Sequence, residues 1–197
     1  MLIVVSTPDF FEGESQALNQ LFKAGLECFH LRKPNAKLED YENLLKQIPS
    51  AFHQRVHVHE HFQLAEKYAI GGVHLNRRNP QYEGNNTKIT ISRSCHTLQE
   101  LKDISHFDYV FLSPIFNSIS KQGYQQAFSM EDLRKSAENQ LINSKVIALG
   151  GITPENVHIP MSCAFGGVAV LGYIWQNKRF LENFIHINTV YQTFIRK

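Results

Sequence analysis

Ala148-Leu-Gly-Gly-Ile-Thr-Pro-Glu-Asn156 joins a run of apolar and β-branched residues to a segment with helical signals. Paired glycines permit a tight turn and let backbone N–H groups approach an anion closely. Thr153 followed by Pro154 predicts a helix N-cap with proline in the first helical position. We therefore interpret the stretch as a strand, a glycine turn and a helix whose N-terminus favours negative charge.

The same alternation of strand and helix extends along the chain in both directions. Short β-branched runs are separated by longer helical stretches, which is typical of parallel strands joined by crossover helices. Eight such runs predict an α/β fold, a single (β/α)8 TIM-type barrel, in one domain of residues 1–197. The predicted strands are 2–6, 28–33, 56–60, 72–76, 88–95, 109–114, 145–150 and 168–172. The predicted helices are 12–24, 38–48, 62–68, 98–104, 130–139, 154–161 and 177–195, and the polar connection 77–86 predicts one degenerate helix after the fourth strand.

The composition argues against several classes of function. The chain has 197 residues, 43% hydrophobic residues and a net charge of +2, so it can bury a sizeable core. Its scattered basic residues do not form the one-sided surface of a nucleic-acid-binding protein. No apolar run approaches the roughly 20 residues that span a bilayer, and the N-terminus lacks a signal-peptide pattern, so we expect a cytoplasmic protein without membrane contact. Three widely spaced cysteines predict free thiols.

Polar side chains gather toward the C-terminal ends of four consecutive predicted strands. Alternation along a strand places residues two apart on the same face. The sets that share a face are Cys28, His30 and Arg32, then His57 and His59, then Gly72, His74 and Asn76, and last Ser92, Ser94 and His96. Because barrel enzymes carry their sites at this rim, the pattern predicts a ligand site there. For any one histidine, a packed position in the core is the alternative.

Glycines and hydroxyl groups on the later strands predict a phosphate site. Gly150 and Gly151 follow the seventh strand and Gly172 ends the eighth, where phosphate sites recur in barrel folds. The connection after the sixth strand holds three further candidates, Ser118, Ser120 and Lys121. Hydroxyls beside a lysine suit a phosphate or diphosphate and could form a movable lid, although an ordinary polar loop is the alternative.

Several short motifs, taken in order, resemble the thiamine phosphate synthase and TenI-type superfamily. The most specific is the Gly-Gly-Ile-Thr-Pro-Glu-Asn segment ending at Asn156. The others are Gly72-Val-His-Leu75, Ser94-Cys-His-Thr97, Asp108-Tyr-Val and Ser113-Pro-Ile-Phe116. The resemblance implies a TIM barrel, a small phosphorylated thiazole or pyrimidine ligand, and a homodimer as in many members.

One branch of the superfamily, the synthases, couples a pyrimidine diphosphate to a thiazole phosphate with Mg²⁺. Their second-strand motif Gln-x-Arg-x-Lys is here His30-Leu-Arg32-Lys-Pro34, and their Asn-Asp pair is His59-Glu60. Their Gly-Gln-Glu-Asp motif is here Asn76-Arg-Arg-Asn79, so one magnesium carboxylate is absent and Arg77 and Arg78 stand beside its position. Glu60 is the remaining candidate ligand for Mg²⁺, whereas the arginines could bind an anionic ligand directly.

These departures favour the TenI-type branch, whose thiazole tautomerases move a proton without a metal or other cofactor. The resemblance makes His96 the first candidate for acid–base catalysis, with His30 or His59 as a second proton carrier or as the partner of a ligand carboxylate. The residues expected to bind substrate or phosphate are Arg32, Ser94, Ser118, Ser120, Lys121, Gly150, Gly151 and Gly172. We therefore expect tautomerase-like chemistry ahead of Mg²⁺-dependent synthase chemistry.

Two other functions remain open at this point. A degenerate barrel could bind a thiazole or thiamine phosphate without turning it over. Alternatively, His57-Val-His59, with His61 and His74 nearby, could hold a metal ion in a hydrolase.

Overall fold

The computed structural model of the chain describes residues 1–85, 87–117 and 126–195, and it contains a closed barrel of eight parallel strands. Each strand pairs with the next along the chain, and the eighth pairs with the first. The strands are β1 (Leu2–Val5), β2 (Cys28–Leu31), β3 (Val56–Val58), β4 (Gly72–Leu75), β5 (Thr90–Cys95), β6 (Tyr109–Leu112), β7 (Val146–Leu149) and β8 (Gly167–Val170). The predicted TIM-type barrel is confirmed, and each strand ends at its predicted C-terminal residue or one or two residues before it.

Helices of unequal length cover the outside of the barrel. They are α1 (Glu14–Lys23), α2 (Leu38–Gln47), α3 (Leu64–Lys67), α4 (Met130–Glu138), α5 (His158–Ser162), α6 (Gly172–Trp175) and α7 (Phe180–Ile195). Two 3₁₀ helices, Ser50–Arg55 and Gln99–Asp103, complete the set. Between β4 and β5, residues 76–85 and 87–89 contain no helix, as predicted for the fourth connection. No helix in the described part of the chain is long and apolar enough to cross a membrane.

The helix predicted at 154–161 begins later than expected. Thr153 does not cap it, because α5 starts at His158 and the intervening residues form turns. The side chain of Asn156 explains the difference, since its amide donates to the carbonyl of Gly151 at 2.8 Å and its oxygen accepts from the N–H of Thr153 at 2.9 Å. Asparagine side chains compete in this way with helical hydrogen bonds.

Two other helix predictions also needed correction. The segment predicted as a helix at 98–104 is the 3₁₀ helix Gln99–Asp103. The last predicted helix starts at Phe180 rather than at 177, and the separate turn of α6 precedes it. By contrast, α4 has a side-chain cap at its N-terminus, because the hydroxyl of Ser129 accepts from the N–H of Asp132 at 3.1 Å.

The barrel interior is divided into an apolar and a polar half. Ile3, Val5, Phe111, Ile147 and Ala169 are among the residues of a compact cluster inside the barrel, which we call the apolar half. The polar half is formed by β2 to β5, whose inward residues include His30, His57, His59, His74 and Ser92, all buried. Strand register makes these polar residues neighbours, since His30 pairs with His57, His57 with Gly72, and His74 with Ser92.

Gly72 provides the space that the polar half requires. A Cβ atom at this position would lie 2.1 Å from Nδ1 of His57 and 2.6 Å from its Cε1. Real Cβ atoms do not approach ring atoms this closely, so any side chain at position 72 would displace the imidazole. The absence of a side chain on β4 therefore permits the ring on β3.

The last helix packs on the barrel. Phe184, Ile187 and Tyr191 are each no more than 1% exposed, so this apolar face of α7 belongs to the core of the chain. This buried face of α7 is therefore not available to a partner, and the homodimer stays a prediction.

Candidate active site

A cavity of about 330 Å³ lies at the C-terminal ends of the strands. Seven of the predicted site residues line it, namely Arg32, His59, Ser94, His96, Gly150, Gly151 and Gly172. The remaining wall is formed by Val5, Asn76, Arg77, Arg78, Phe111, Ser113, Pro114, Leu149, Ile152, Ala169 and Leu171. The structure thus gathers residues from distant parts of the sequence at the rim where barrel enzymes bind their ligands.

The glycine turn after β7 forms one side of the cavity. Gly150 and Gly151 both have positive φ angles, 107° and 64°. A Cβ on Gly150 would lie 2.9 Å from Cα of Pro114, and one on Gly151 would lie 2.3 Å from the carbonyl oxygen of Asn117. Both positions therefore require glycine, and they bring backbone close to the cavity, which suits a phosphate group.

The other side of the cavity, after β2 and β4, carries positive charge. Arg32 is partly buried and Arg77 is exposed, and neither forms an ion pair with a carboxylate in the described parts of the chain. Arg78 differs, because its guanidinium donates to Glu60 at 2.9 Å. Two guanidinium groups are therefore available to an anionic ligand.

His96 lies at the cavity wall with one ring nitrogen occupied. Its Nδ1 is 3.1 Å from the carbonyl oxygen of Ser113, which can only accept, so Nδ1 carries the proton and donates it. In the neutral ring this leaves Nε2 with a lone pair. The geometry therefore suits the predicted role of His96 as a base at Nε2.

The two other predicted catalytic histidines occupy different depths. His59 lines the cavity, whereas His30 is fully buried behind it and does not line the cavity. Nδ1 of His30 lies 2.9 Å from Nε2 of His59. The structure thus joins His30 to the site through His59 and not by direct access.

Sequence reasoning missed the hydrogen-bond partners that hold this wall. Nδ1 and Nε2 of His74 lie 2.9 Å from the hydroxyl oxygens of Ser92 and Ser94, respectively. Tyr109, at the start of β6, places its hydroxyl 2.6 Å from Nε2 of His30. The alternation of inward residues pointed to His74, and the motif Asp108-Tyr-Val contained Tyr109, but the pattern gave no sign that the tyrosine reaches across to β2.

Burial controls the charge of these histidines. Removal from water lowers the pKa of His57 to about 4 and that of His74 to about 3. The pKa values of His30 and His59 fall well below the usual range, first through burial and then through repulsion from neighbouring imidazoles. The polar half is consequently uncharged near neutral pH.

Three predicted ligand-binding residues cannot be located. Ser118, Ser120 and Lys121 lie outside the described residues. Their assignment to phosphate or diphosphate stays a prediction.

The described residues do not fit a dedicated magnesium site. Glu60 does not line the cavity, and its carboxylate accepts from the hydroxyl of Tyr41 at 2.5 Å, from the N–H of Lys33 at 3.3 Å and from Arg78. The described lining contains no carboxylate, the ligand that Mg²⁺ prefers. Asn79, at the position of the absent carboxylate, donates its amide to the carbonyl of His59 at 3.0 Å.

The clustered imidazoles could also suggest a transition-metal site. Ring nitrogens of His30, His59 and His74 lie within 4.8 Å of one another, and so do the ligand atoms of Cys28, His30 and His57. Without a metal ion, the 2.9 Å contact between Nδ1 of His30 and Nε2 of His59 is a hydrogen bond with a proton between the two nitrogens, which a metal ion would have to displace before both could ligate it. His61, named in the hydrolase hypothesis, bonds instead to the carbonyl of Ala36.

Comparisons with known proteins identify the family. The family model TMP-TENI, thiamine monophosphate synthase, matches residues 1–174. A thiamine-phosphate synthase of Latilactobacillus sakei subsp. sakei (strain 23K) is 27% identical over 195 residues, which cover 89% of this chain and 84% of the relative. The crystal structure of thiamine phosphate pyrophosphorylase from Bacteroides thetaiotaomicron is 38% identical and covers 96% of each chain, with a TM-score of 0.85.

A more distant structure agrees in fold alone. The thiamine phosphate pyrophosphorylase from Pyrococcus furiosus is 17% identical, covers 98% of this chain and 96% of its own, and has a TM-score of 0.80. The resemblance found in the sequence motifs is thus confirmed by the family model, by sequence relatives and by a solved structure. The chain belongs to the thiamine monophosphate synthase (TMP-TENI) family and is an enzyme of the thiamine pathway.

Proposed function

We propose that this enzyme is a thiamine phosphate synthase, which couples a pyrimidine diphosphate to a thiazole phosphate. The observation that carries the proposal is one cavity with the glycine turn on one side and two guanidinium groups, those of Arg32 and Arg77, on the other. The glycine turn at Gly150 and Gly151 suits the single phosphate, and Arg32 and Arg77 suit the more highly charged diphosphate. Two phosphorylated substrates bound side by side need two such surfaces.

The reaction proposed for this cavity is a substitution at the methylene carbon of the pyrimidine. The bond between that carbon and the diphosphate oxygen breaks, and diphosphate leaves with the electron pair. The lone pair of the thiazole nitrogen then forms the new carbon–nitrogen bond, which leaves the positive charge on the thiazolium ring. Arg32 and Arg77 would stabilise the negative charge that develops on the leaving diphosphate, so residues of this chain would assist the bond-breaking step.

The names of the relatives support this synthase activity better than the tautomerase-like activity expected from the sequence. The absence of one magnesium carboxylate, at the position of Asn79, had favoured the tautomerase. Free guanidinium groups offer a different explanation of the same loss, because they can neutralise a diphosphate without a metal site.

Tautomerase-like proton transfer remains the second candidate. The observation in its favour is His96 at the cavity wall, whose Nε2 has no hydrogen-bond partner among the residues that the structure describes and can accept a proton. That arrangement has no necessary part in the coupling reaction, so the two activities can be separated by a variant at this position.

The test supplies purified enzyme with the pyrimidine diphosphate and the thiazole phosphate, and measures thiamine phosphate and diphosphate release with added Mg²⁺ and with EDTA. We expect stoichiometric release of both products, strong loss in Arg32→Gln, and wild-type activity in Arg134→Gln, an exposed arginine on α4 outside the cavity. Isomerisation of a thiazole carboxylate phosphate without coupling would reverse the order of the two candidates. Binding without either reaction would point to a ligand-binding protein.

A further inference from the structure

Four buried side chains form a continuous hydrogen-bonded chain through the barrel interior, which we call the buried relay. It runs from His57 through Tyr109 and His30 to His59. The hydroxyl of Tyr109 lies 3.2 Å from Nδ1 of His57 and 2.6 Å from Nε2 of His30. Nδ1 of His30 lies 2.9 Å from Nε2 of His59, which lines the cavity. The relay therefore connects the protein core with the ligand site.

Every member of the relay is uncharged near neutral pH. Burial lowers the pKa of His30, His57 and His59, and it raises the pKa of Tyr109 well above its ordinary value. A neutral imidazole has one nitrogen that donates and one that accepts. The tautomer of each ring in the relay consequently fixes the tautomer of the next.

The two distances at Tyr109 give the relay a direction. A contact of 2.6 Å is typical of an O–H donor, and one of 3.2 Å lies within the range of an N–H donor. Tyr109 thus donates to Nε2 of His30 and accepts from Nδ1 of His57. His30 must then carry its own proton on Nδ1 and donate it to Nε2 of His59.

The second ring nitrogen of His59, Nδ1, is the end of the relay that lies at the cavity. Because Nε2 accepts from His30, the proton of neutral His59 is on Nδ1. Within the described segments, no hydrogen-bond partner is found for this nitrogen, and His59 forms part of the cavity wall. An acceptor atom on a bound ligand would satisfy it.

We propose that Tyr109 and His30 are positioning residues that hold His59 as its Nδ1–H tautomer, so that His59 donates a hydrogen bond to a lone-pair acceptor of the ligand, such as a heteroaromatic ring nitrogen. The identity of that ligand rests on the proposed function, whereas the tautomer does not. Tyr109 lies on β6 and outside the cavity lining, yet the relay makes it a determinant of ligand recognition.

The test is nitrogen-15 NMR of histidine-labelled enzyme, since long-range proton–nitrogen correlations distinguish the two tautomers of each ring. In the wild type we expect His59 protonated on Nδ1. In Tyr109→Phe the donor to His30 is lost, so we expect His59 to become a mixture of tautomers and the affinity for thiazole phosphate or the pyrimidine diphosphate to fall by about threefold to tenfold. Tyr191→Phe is the matched control, because it also removes one buried tyrosine hydroxyl, which bonds to the N-terminal amine of Met1 on the outside of the barrel and not to the relay.

Three results would overturn the proposal. They are an Nε2-protonated His59 in the wild type, an unchanged His59 tautomer in folded Tyr109→Phe, and stoichiometric Zn²⁺ on His30 and His59 in the purified enzyme. The first and third require no variant, so a Tyr109→Phe protein that failed to fold would leave the proposal testable. If the tautomer shifts but neither substrate binds, the relay stands and the proposed function fails.

Discussion

The apolar and polar halves of the barrel interior are built on the same strand geometry and are stabilised in different ways. Ile3, Val5 and Ile147 fill the apolar half by hydrophobic packing, an interaction that does not depend on the direction of the contacts. His30, His59 and His74 fill theirs through hydrogen bonds whose donors and acceptors must match. The comparison indicates that the apolar half mainly stabilises the barrel. The polar half accepts fewer substitutions, because each of its hydrogen-bond donors must face an acceptor, and it provides a defined set of donors and acceptors beside the ligand.

Acid should separate the two halves most strongly. The four buried histidines are neutral in the folded state and have depressed pKa values, whereas in the unfolded chain they titrate near about 6.5. The unfolded state therefore binds more protons below that pH, and stability falls by about 1.4 kcal/mol per pH unit for each histidine. Urea unfolding at about pH 7.5 and about pH 5.5 should differ by about 5 kcal/mol in the free energy of unfolding.

The control for this prediction is a pair of histidine variants. His57→Asn should reduce the pH dependence by about one proton. His158→Asn, at an exposed position on α5, should leave it unchanged. A free energy of unfolding that is constant over this pH range would contradict the assignment of four neutral histidines to the fold.

Truncation in the apolar half should destabilise the fold without altering its response to pH. Ile147 is 1% exposed, and Ile147→Ala should lower the free energy of unfolding by about 3 kcal/mol through lost burial and an unfilled cavity. The decrease should be the same at both pH values in the urea experiment. A pH-dependent decrease would mean that the two halves are coupled more tightly than their chemistry suggests.

On the polar side of the cavity, removal of one guanidinium should be expressed in activity and not in folding. We expect Arg32→Gln to lower kcat/KM for the coupling reaction by about 100-fold, since a charge-assisted contact to the diphosphate is lost. The melting temperature should change little. Wild-type kcat/KM in this variant would remove Arg32 from the anion site.

On the side of the cavity formed by the glycine turn, an added methyl group should lower the affinity for the phosphate group. Gly151→Ala places a Cβ 2.3 Å from the carbonyl oxygen of Asn117 at a positive φ, so the turn must shift, and we expect the affinity for thiazole phosphate to fall by about tenfold in calorimetry. Gly25→Ala is the matched control, because Gly25 has a φ of 98° but no atom within 4 Å of the added Cβ and does not line the cavity. Equal affinities in both variants would exclude a phosphate role for the turn.

Much of the barrel could be predicted because strand formation depends on local pattern. All eight β-branched runs form strands, and the rim residues of successive strands meet as parallel pairing requires. The start of α5 could not be predicted, because it depends on the side chain of Asn156 bonding back to Gly151. Such a side-chain hydrogen bond competes with the first turn of a helix, and the helix propensities of single residues do not describe it.

The sequence predicted that residues of several strands meet at one rim, but not how deeply each side chain is buried. Alternation placed His30 and His59 on one face of the barrel, yet only the closed barrel shows that one ring lies behind the other. The engagement of Glu60 by Tyr41 and Arg78 likewise depends on three segments meeting in space. Motif comparison identified the altered magnesium positions, and the structure supplies the physical reason why the surviving carboxylate is not available.

The missing side chain at position 72 also constrains how this barrel can change. Because a Cβ there would lie 2.1 Å from the His57 ring, substitutions at positions 57 and 72 are not independent. A small residue must replace His57 before any larger residue becomes acceptable at position 72, whereas the reverse order passes through a destabilised protein. The order of mutations is therefore restricted, and His57, at the end of the relay opposite His59, persists only as long as its neighbour on β4 remains glycine.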